Sequence, residues 1–202
     1  VKIASFIILA PVIGLLISSI ITISVLWAFK RVNARTAENS FRKLQLVSPG
    51  LFSLGHGLND SQKVMGIIAT AMISYGSIDS VEAMPDWVPL SCFAAIGLGT
   101  MSGGWRIVKT MGSKITKVTS LEGVCAETAG ALTLFITEHL KIPVSTTHTI
   151  TGAIMGVGAV KRLSAVRWGI TINLMWAWIL TIPVSAVLAG LIYLLISTLG
   201  LR

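Results

Sequence analysis

Ile3 to Phe29 is a run of 27 residues without a charge, and Trp168 to Leu201 is another of 34. At roughly 1.5 Å per residue they make helices of about 40 and 50 Å, enough to cross a hydrocarbon core of about 30 Å with tilt. Pro183 is expected to kink or break the second run. Between them the chain stays apolar: 53% of its 202 residues are hydrophobic and 12% charged, against about 25% charged in a soluble domain. A water-soluble globule is excluded.

The net charge of +8 could suggest a nucleic-acid binder, but the basic residues form no stripe. Twelve of the sixteen fall into three clusters between apolar segments: Lys30, Arg31, Arg35, Arg42 and Lys43; Arg106, Lys109, Lys114 and Lys117; Lys161, Arg162 and Arg167. That is the pattern of cytoplasmic loops between membrane spans. The connection Tyr75 to Trp87 holds Asp79, Glu82 and Asp86 and no basic residue, which assigns it to the outer side. Leu121 to Leu140 and Ile142 to Val160 lie between two cytoplasmic clusters, so they form a hairpin, spanning or re-entrant. In Val88 to Trp105, Gly99 and Gly103 have the small-xxx-small spacing that favours close helix contact. Cys92 and Cys125 stand apart in apolar segments and offer neither a disulfide framework nor a zinc motif.

The expected fold is all-α: a polytopic helical membrane protein with one transmembrane domain over residues 1–202. It is interrupted around Asn59-Asp60 and around Ser145-Thr147. The chain opens on Val1 with no signal-peptide pattern, and the expectation is part of a longer protein.

Gly55-His56-Gly57-Leu58-Asn59-Asp60-Ser61-Gln62-Lys63 places a carboxylate at membrane depth, where it needs a partner or an aqueous cavity. Glycines that let the backbone unwind would expose carbonyls. Together with the Asn59 and Asp60 oxygens they would suit a hard monovalent cation. The plainer alternative is that Asp60 and Lys63, three apart on a helix, neutralise each other. His56 reads as a packed polar residue at the break.

Pro143-Val144-Ser145-Thr146-Thr147-His148-Thr149 places proline and consecutive hydroxyls at a helix start. Unpaired N–H groups and the helix dipole there favour an anion, and hydroxyls bind an oxyanion without a permanent charge that would resist release. A helix capped by its own Ser and Thr is the alternative. Glu127 is either on a cation or proton path or simply hydrogen-bonded in the bundle. His148 reads best as an orienting hydrogen-bond donor. Glu122, Glu138 and His139 suit an interface, and Trp168, Trp176 and Trp178 suit anchoring or packing.

Residues 57–66 (Gly-Leu-Asn-Asp-Ser-Gln-Lys-Val-Met-Gly) and 143–158 (Pro-Val-Ser-Thr-Thr-His-Thr-Ile-Thr-Gly-Ala-Ile-Met-Gly-Val-Gly) resemble the two signatures in the carboxy-terminal repeat of the inorganic phosphate transporter (Pit) family. Gly-Gly-Trp-Arg-Ile-Val-Lys-Thr-Met-Gly (103–112) and Ala-Glu-Thr-Ala-Gly-Ala (126–131) resemble its bacterial members. Leu58 stands where the family commonly has a smaller residue. The resemblance implies two inverted repeats sharing a central site, with this chain carrying one set. It implies that Ser145, Thr146 and Thr147 contact phosphate, that Asn59 and Asp60 hold the coupling cation, and that Gln62, Glu127 and His148 are supporting candidates.

The expected function is cation-coupled phosphate symport with alternating access at the cell membrane. The expected partners are phosphate, the coupling cation (sodium, a proton, or a divalent metal carried with phosphate), the bilayer and the amino-terminal repeat. Homo-oligomerisation is left open. No resident cofactor, enzymatic activity or nucleic acid is expected. The alternatives are a carrier of another tetrahedral oxyanion such as sulfate, an intramembrane hydrolase using Asp60, His148 or Ser145, and a structural or receptor-like subunit. The hydrolase lacks a Gly-x-Ser-x-Gly elbow, a His-Glu-x-x-His helix and a Walker loop.

Overall fold

The computed structural model describes residues 2–199, apart from the side chains of residues 2–4, 106 and 107. Seven α-helices follow in order: α1 Lys2–Phe29, α2 Ala34–Leu44, α3 Ser48–Ser74, α4 Trp87–Thr110, α5 Ser120–His139, α6 Thr146–Lys161 and α7 Trp168–Thr198. Among the described residues there is no strand, so the all-α expectation holds. The chain divides into a unit ending at Val166 and a carboxy-terminal unit beginning at Arg167.

Local chemistry explains most boundaries. Asn33 caps α2, its Oδ1 accepting the Arg35 N–H at 3.0 Å. Proline stands in the first turn of α3, where its missing N–H costs nothing. Thr119 and Glu122 form a reciprocal capping box at the start of α5. At its end Lys141 takes φ 54° and the Ile142 N–H bonds the Thr137 carbonyl at 2.8 Å, a Schellman-type stop built on lysine rather than glycine.

The segment between Lys30 and Lys43, read as a loop, contains α2, whose Phe41 is buried and lies 5.0 Å, centroid to centroid, from the Phe29 ring. The start of α5 meets α2 and the end of α6. Ser120 donates to Glu38 of α2 at 3.3 Å, and Lys161 at the end of α6 pairs with buried Glu122 at the start of α5. Arg106 falls within α4, its side chain outside the described residues.

In the first unit, α1 lies along α6, and α5 touches α1, α3 and α6. Ala10, Leu134 and Val144 form a core with Phe6, Phe52 and Ile142 against it. The α1–α6 contact is made by glycines. A Cβ on Gly152 would stand 2.0 Å from the Pro11 carbonyl oxygen, and one on Gly156 would stand 2.4 Å from that of Leu15. Only hydrogen fits there. Thr22 of α1 donates to the Ser18 carbonyl of its own helix at 2.7 Å.

Three expectations need correction. First, α3 is continuous from Ser48 to Ser74, so the chain is not interrupted around Asn59-Asp60. Gly55 serves contact rather than unwinding: a Cβ there would meet Leu134 Cβ at 3.3 Å. The other interruption is real, since α6 begins at Thr146 after the turn. Second, a Cβ on Gly99 or Gly103 would meet nothing within 4 Å among the described residues. Small-residue spacing permits a close approach but does not supply a partner, and α6 has the partner. Third, α7 runs through Pro183 without a break, so of the kink or break expected there only the kink is left. Considered by itself it is 31 residues long, with Thr171 buried and large side chains such as Leu188 and Leu191 exposed. Leu201 lies outside the described residues.

Candidate functional site

The turn after α5 brings the first residues of α6 against the middle of α3. Ser145 is the N-cap of α6, its Oγ accepting the His148 N–H at 3.4 Å, so Thr146 and Thr147 occupy the first two helical positions. The Thr146 hydroxyl is buried and donates to Asp60 Oδ2 at 3.1 Å. Residues 86 apart in the sequence thus join the two motifs directly.

Asp60 is fully engaged. Lys63 Nζ donates to Asp60 Oδ1 at 2.7 Å and to the Val144 carbonyl at 2.6 Å. His56 Nδ1 lies 3.1 Å from Asp60 Oδ2 and 3.0 Å from Thr146 Oγ1. The result is a carboxylate ringed by an ammonium, an imidazole and a hydroxyl, three groups able to hold its charge.

A cavity of about 1160 Å³ opens beside this junction. His56, Asp60, Thr146, Thr147 and Glu127 line it, and Gly99 and Gly103 of α4 form part of its opposite wall. Gly99 and Gly103, expected to pack against another helix, border this cavity. Glu127 accepts the Ser48 hydroxyl at 2.6 Å.

Other sequence-predicted residues point elsewhere. Asn59 is buried and its Oδ1 has no hydrogen-bond partner among the described residues, as is true of Ser61 Oγ. Both are off the cavity wall, because neighbours on a helix are turned about 100° apart. Gln62 reaches Glu138 Oε1 at 3.2 Å on the exposed side. His148 bonds the backbone of Ile7 in α1. That contact has a local reason: Pro11 lacks the N–H that would pair the carbonyl four residues before it.

Sequence reasoning undervalued His56 and Lys63. A continuous helix puts residues three and four apart on one face, so His56, Asp60 and Lys63 were readable as a cluster once the glycines were not taken as a break. The contribution of Val144, a backbone oxygen from another element, carried no sequence signal.

The sequence profile of the phosphate transporter family matches residues 1–189. A Rhizobium meliloti protein named as a probable low-affinity inorganic phosphate transporter is 53% identical over 192 residues, covering 95% of this chain and 58% of that protein. A Bacillus subtilis protein of the same name is 40% identical over 197 residues, covering 98% and 59%. A solved structure titled the sodium-dependent phosphate transporter superposes with a TM-score of 0.72 at 25% identity, covering 96% of this chain and 57% of that one. The chain therefore spans a little over half the length of these relatives.

Proposed function

This chain belongs to the phosphate transporter family, and from that premise we propose that it is the carboxy-terminal repeat of a multi-pass cell-membrane carrier of inorganic phosphate. The carrier works by cation-coupled symport with alternating access, and it is not an enzyme. Thr146 and Thr147, with Ser145 as their cap, face phosphate. Asp60 supplies the carboxylate on the cation side, its charge met by Lys63, with His56 and Glu127 on the cavity wall.

The observation that carries this reading is the direct bond between Thr146 and Asp60 at the edge of the cavity. Oxyanion donors and a cation-holding carboxylate that touch each other let the two charges be bound together. Moving phosphate through an apolar phase demands such compensation, since an unpaired buried ion costs many kcal/mol. Alternating access then follows from rocking this repeat against its inverted partner.

The test is uptake of radiolabelled phosphate by the full-length protein in proteoliposomes. Thr147, exposed on the cavity wall, is the cleanest probe. Thr147→Val keeps the shape and removes one hydrogen bond to a charged ligand, so uptake should fall roughly tenfold to a hundredfold. Unchanged uptake would remove Thr147 from the phosphate site. Equal inhibition by sulfate and unlabelled phosphate would replace the phosphate carrier with a general oxyanion carrier.

A further inference from the structure

Resting on the transport reading above, we propose that Lys63 is the built-in counter-cation of the Asp60 carboxylate, so that phosphate uptake needs no sodium ion there. An ordinary pair three residues apart on a helix leaves the lysine free to wander in solvent. Lys63 does not. Its Nζ sits between a carboxylate oxygen at 2.7 Å and the Val144 carbonyl at 2.6 Å, and Val144 is itself buried in the loop that launches α6.

A carboxylate oxygen and a main-chain carbonyl are the ligands that a hard monovalent cation takes from a membrane protein. Here they come from two different elements and converge on one ammonium of the same unit charge. The other Asp60 oxygen is occupied by Thr146 and His56. A sodium ion arriving at Asp60 would meet the ammonium at contact distance, and like charges that close repel. The lysine therefore does in place what a bound cation would do: it neutralises the carboxylate beside the hydroxyls that face phosphate, and it ties α3 to the start of α6.

The experiment compares the full-length protein with its Lys63→Gln and Lys63→Arg variants in proteoliposomes. A proton gradient is imposed, and sodium is exchanged for choline at constant ionic strength. The unaltered protein is expected to take up phosphate at the same rate in choline and in sodium. Lys63→Gln should lose at least about tenfold in choline, the loss of one charge-assisted bond, and recover most of it in saturating sodium. Lys63→Arg, which keeps the charge, should stay independent of sodium.

A parallel readout is thermal unfolding in detergent, where sodium should raise the midpoint of Lys63→Gln and leave that of the unaltered protein in place. Uptake by the unaltered protein that rises with sodium overturns the proposal, as does Lys63→Gln transporting at full rate in choline. If Lys63→Gln does not fold, the sodium response of the unaltered and arginine proteins still decides. If no protein takes up phosphate under any gradient, the transport reading fails. The sodium-dependent thermal shift then tests Lys63 without it.

Discussion

Asp60→Ala is expected to lower phosphate uptake by the full-length protein at least about a hundredfold while folded protein still accumulates in the membrane. The carboxylate is the acceptor for three groups at once, Lys63, Thr146 and His56. Removing it strands an ammonium against a single carbonyl and frees the Thr146 hydroxyl from its bearing. Truncating one member of a hydrogen-bonded charge pair costs about 2–5 kcal/mol. The side chains of Asp60 and Lys63 retain 29% and 39% of their exposure, which places the loss near the lower end. About 2.7 kcal/mol is a hundredfold. Asp60→Asn keeps the size and one acceptor and should lose less, roughly tenfold. Gly66→Ala serves as the control on the same helix, because a Cβ there meets nothing within 4 Å among the described residues. Near-normal uptake by Asp60→Ala would show that the α3 motif is structural and that the chain's function lies elsewhere.

Gly152→Leu is expected to abolish folded protein altogether, and Gly152→Ala to destabilise it by on the order of 3 kcal/mol. Even alanine's Cβ would lie 2.0 Å from the Pro11 carbonyl oxygen and 2.6 Å from its Cα. Those are main-chain atoms of α1 and cannot rotate aside. The two helices must part, and with them goes the contact that holds α6 and its hydroxyl-rich first turn in place. Such a loss is a large share of the few kcal/mol by which domains are stable. Gly50→Ala in α3, with nothing within 4 Å among the described residues, should be neutral or gain up to about 1 kcal/mol. Monodispersity on size exclusion and the thermal midpoint of a fluorescent fusion would report both. A folded, thermally normal Gly152→Leu protein would refute the α1–α6 packing.

How far each element could be read in advance depended on how local its cause was. The starts of α5 and α6 follow from Thr119, Glu122 and Ser145, residues that act on their own backbone. The misreading of α3 came from treating Gly55 and Gly57 as breaks. Gly55 instead admits Leu134 from α5, a reason invisible along α3 alone. The same blindness moved the close glycine contact to α4, when Gly152 and Gly156 had the matching spacing and a facing helix. His148 was read as an orienting hydrogen-bond former, and the partner it has, the backbone of Ile7, depends on a proline in α1.

Residue types along the chain determined that long stretches must leave water and which segments carry positive charge, and they nominated candidates for holding an oxyanion or a cation. Those properties belong to single side chains and short windows, so they survive without coordinates. Packing alone settled that Asp60 meets Thr146, that Lys63 reaches Val144, and that Asn59 turns away from the cavity. Each depends on the rotation and axial offset of one helix against another. A few atoms of close contact set those, and spacing along one helix does not encode them.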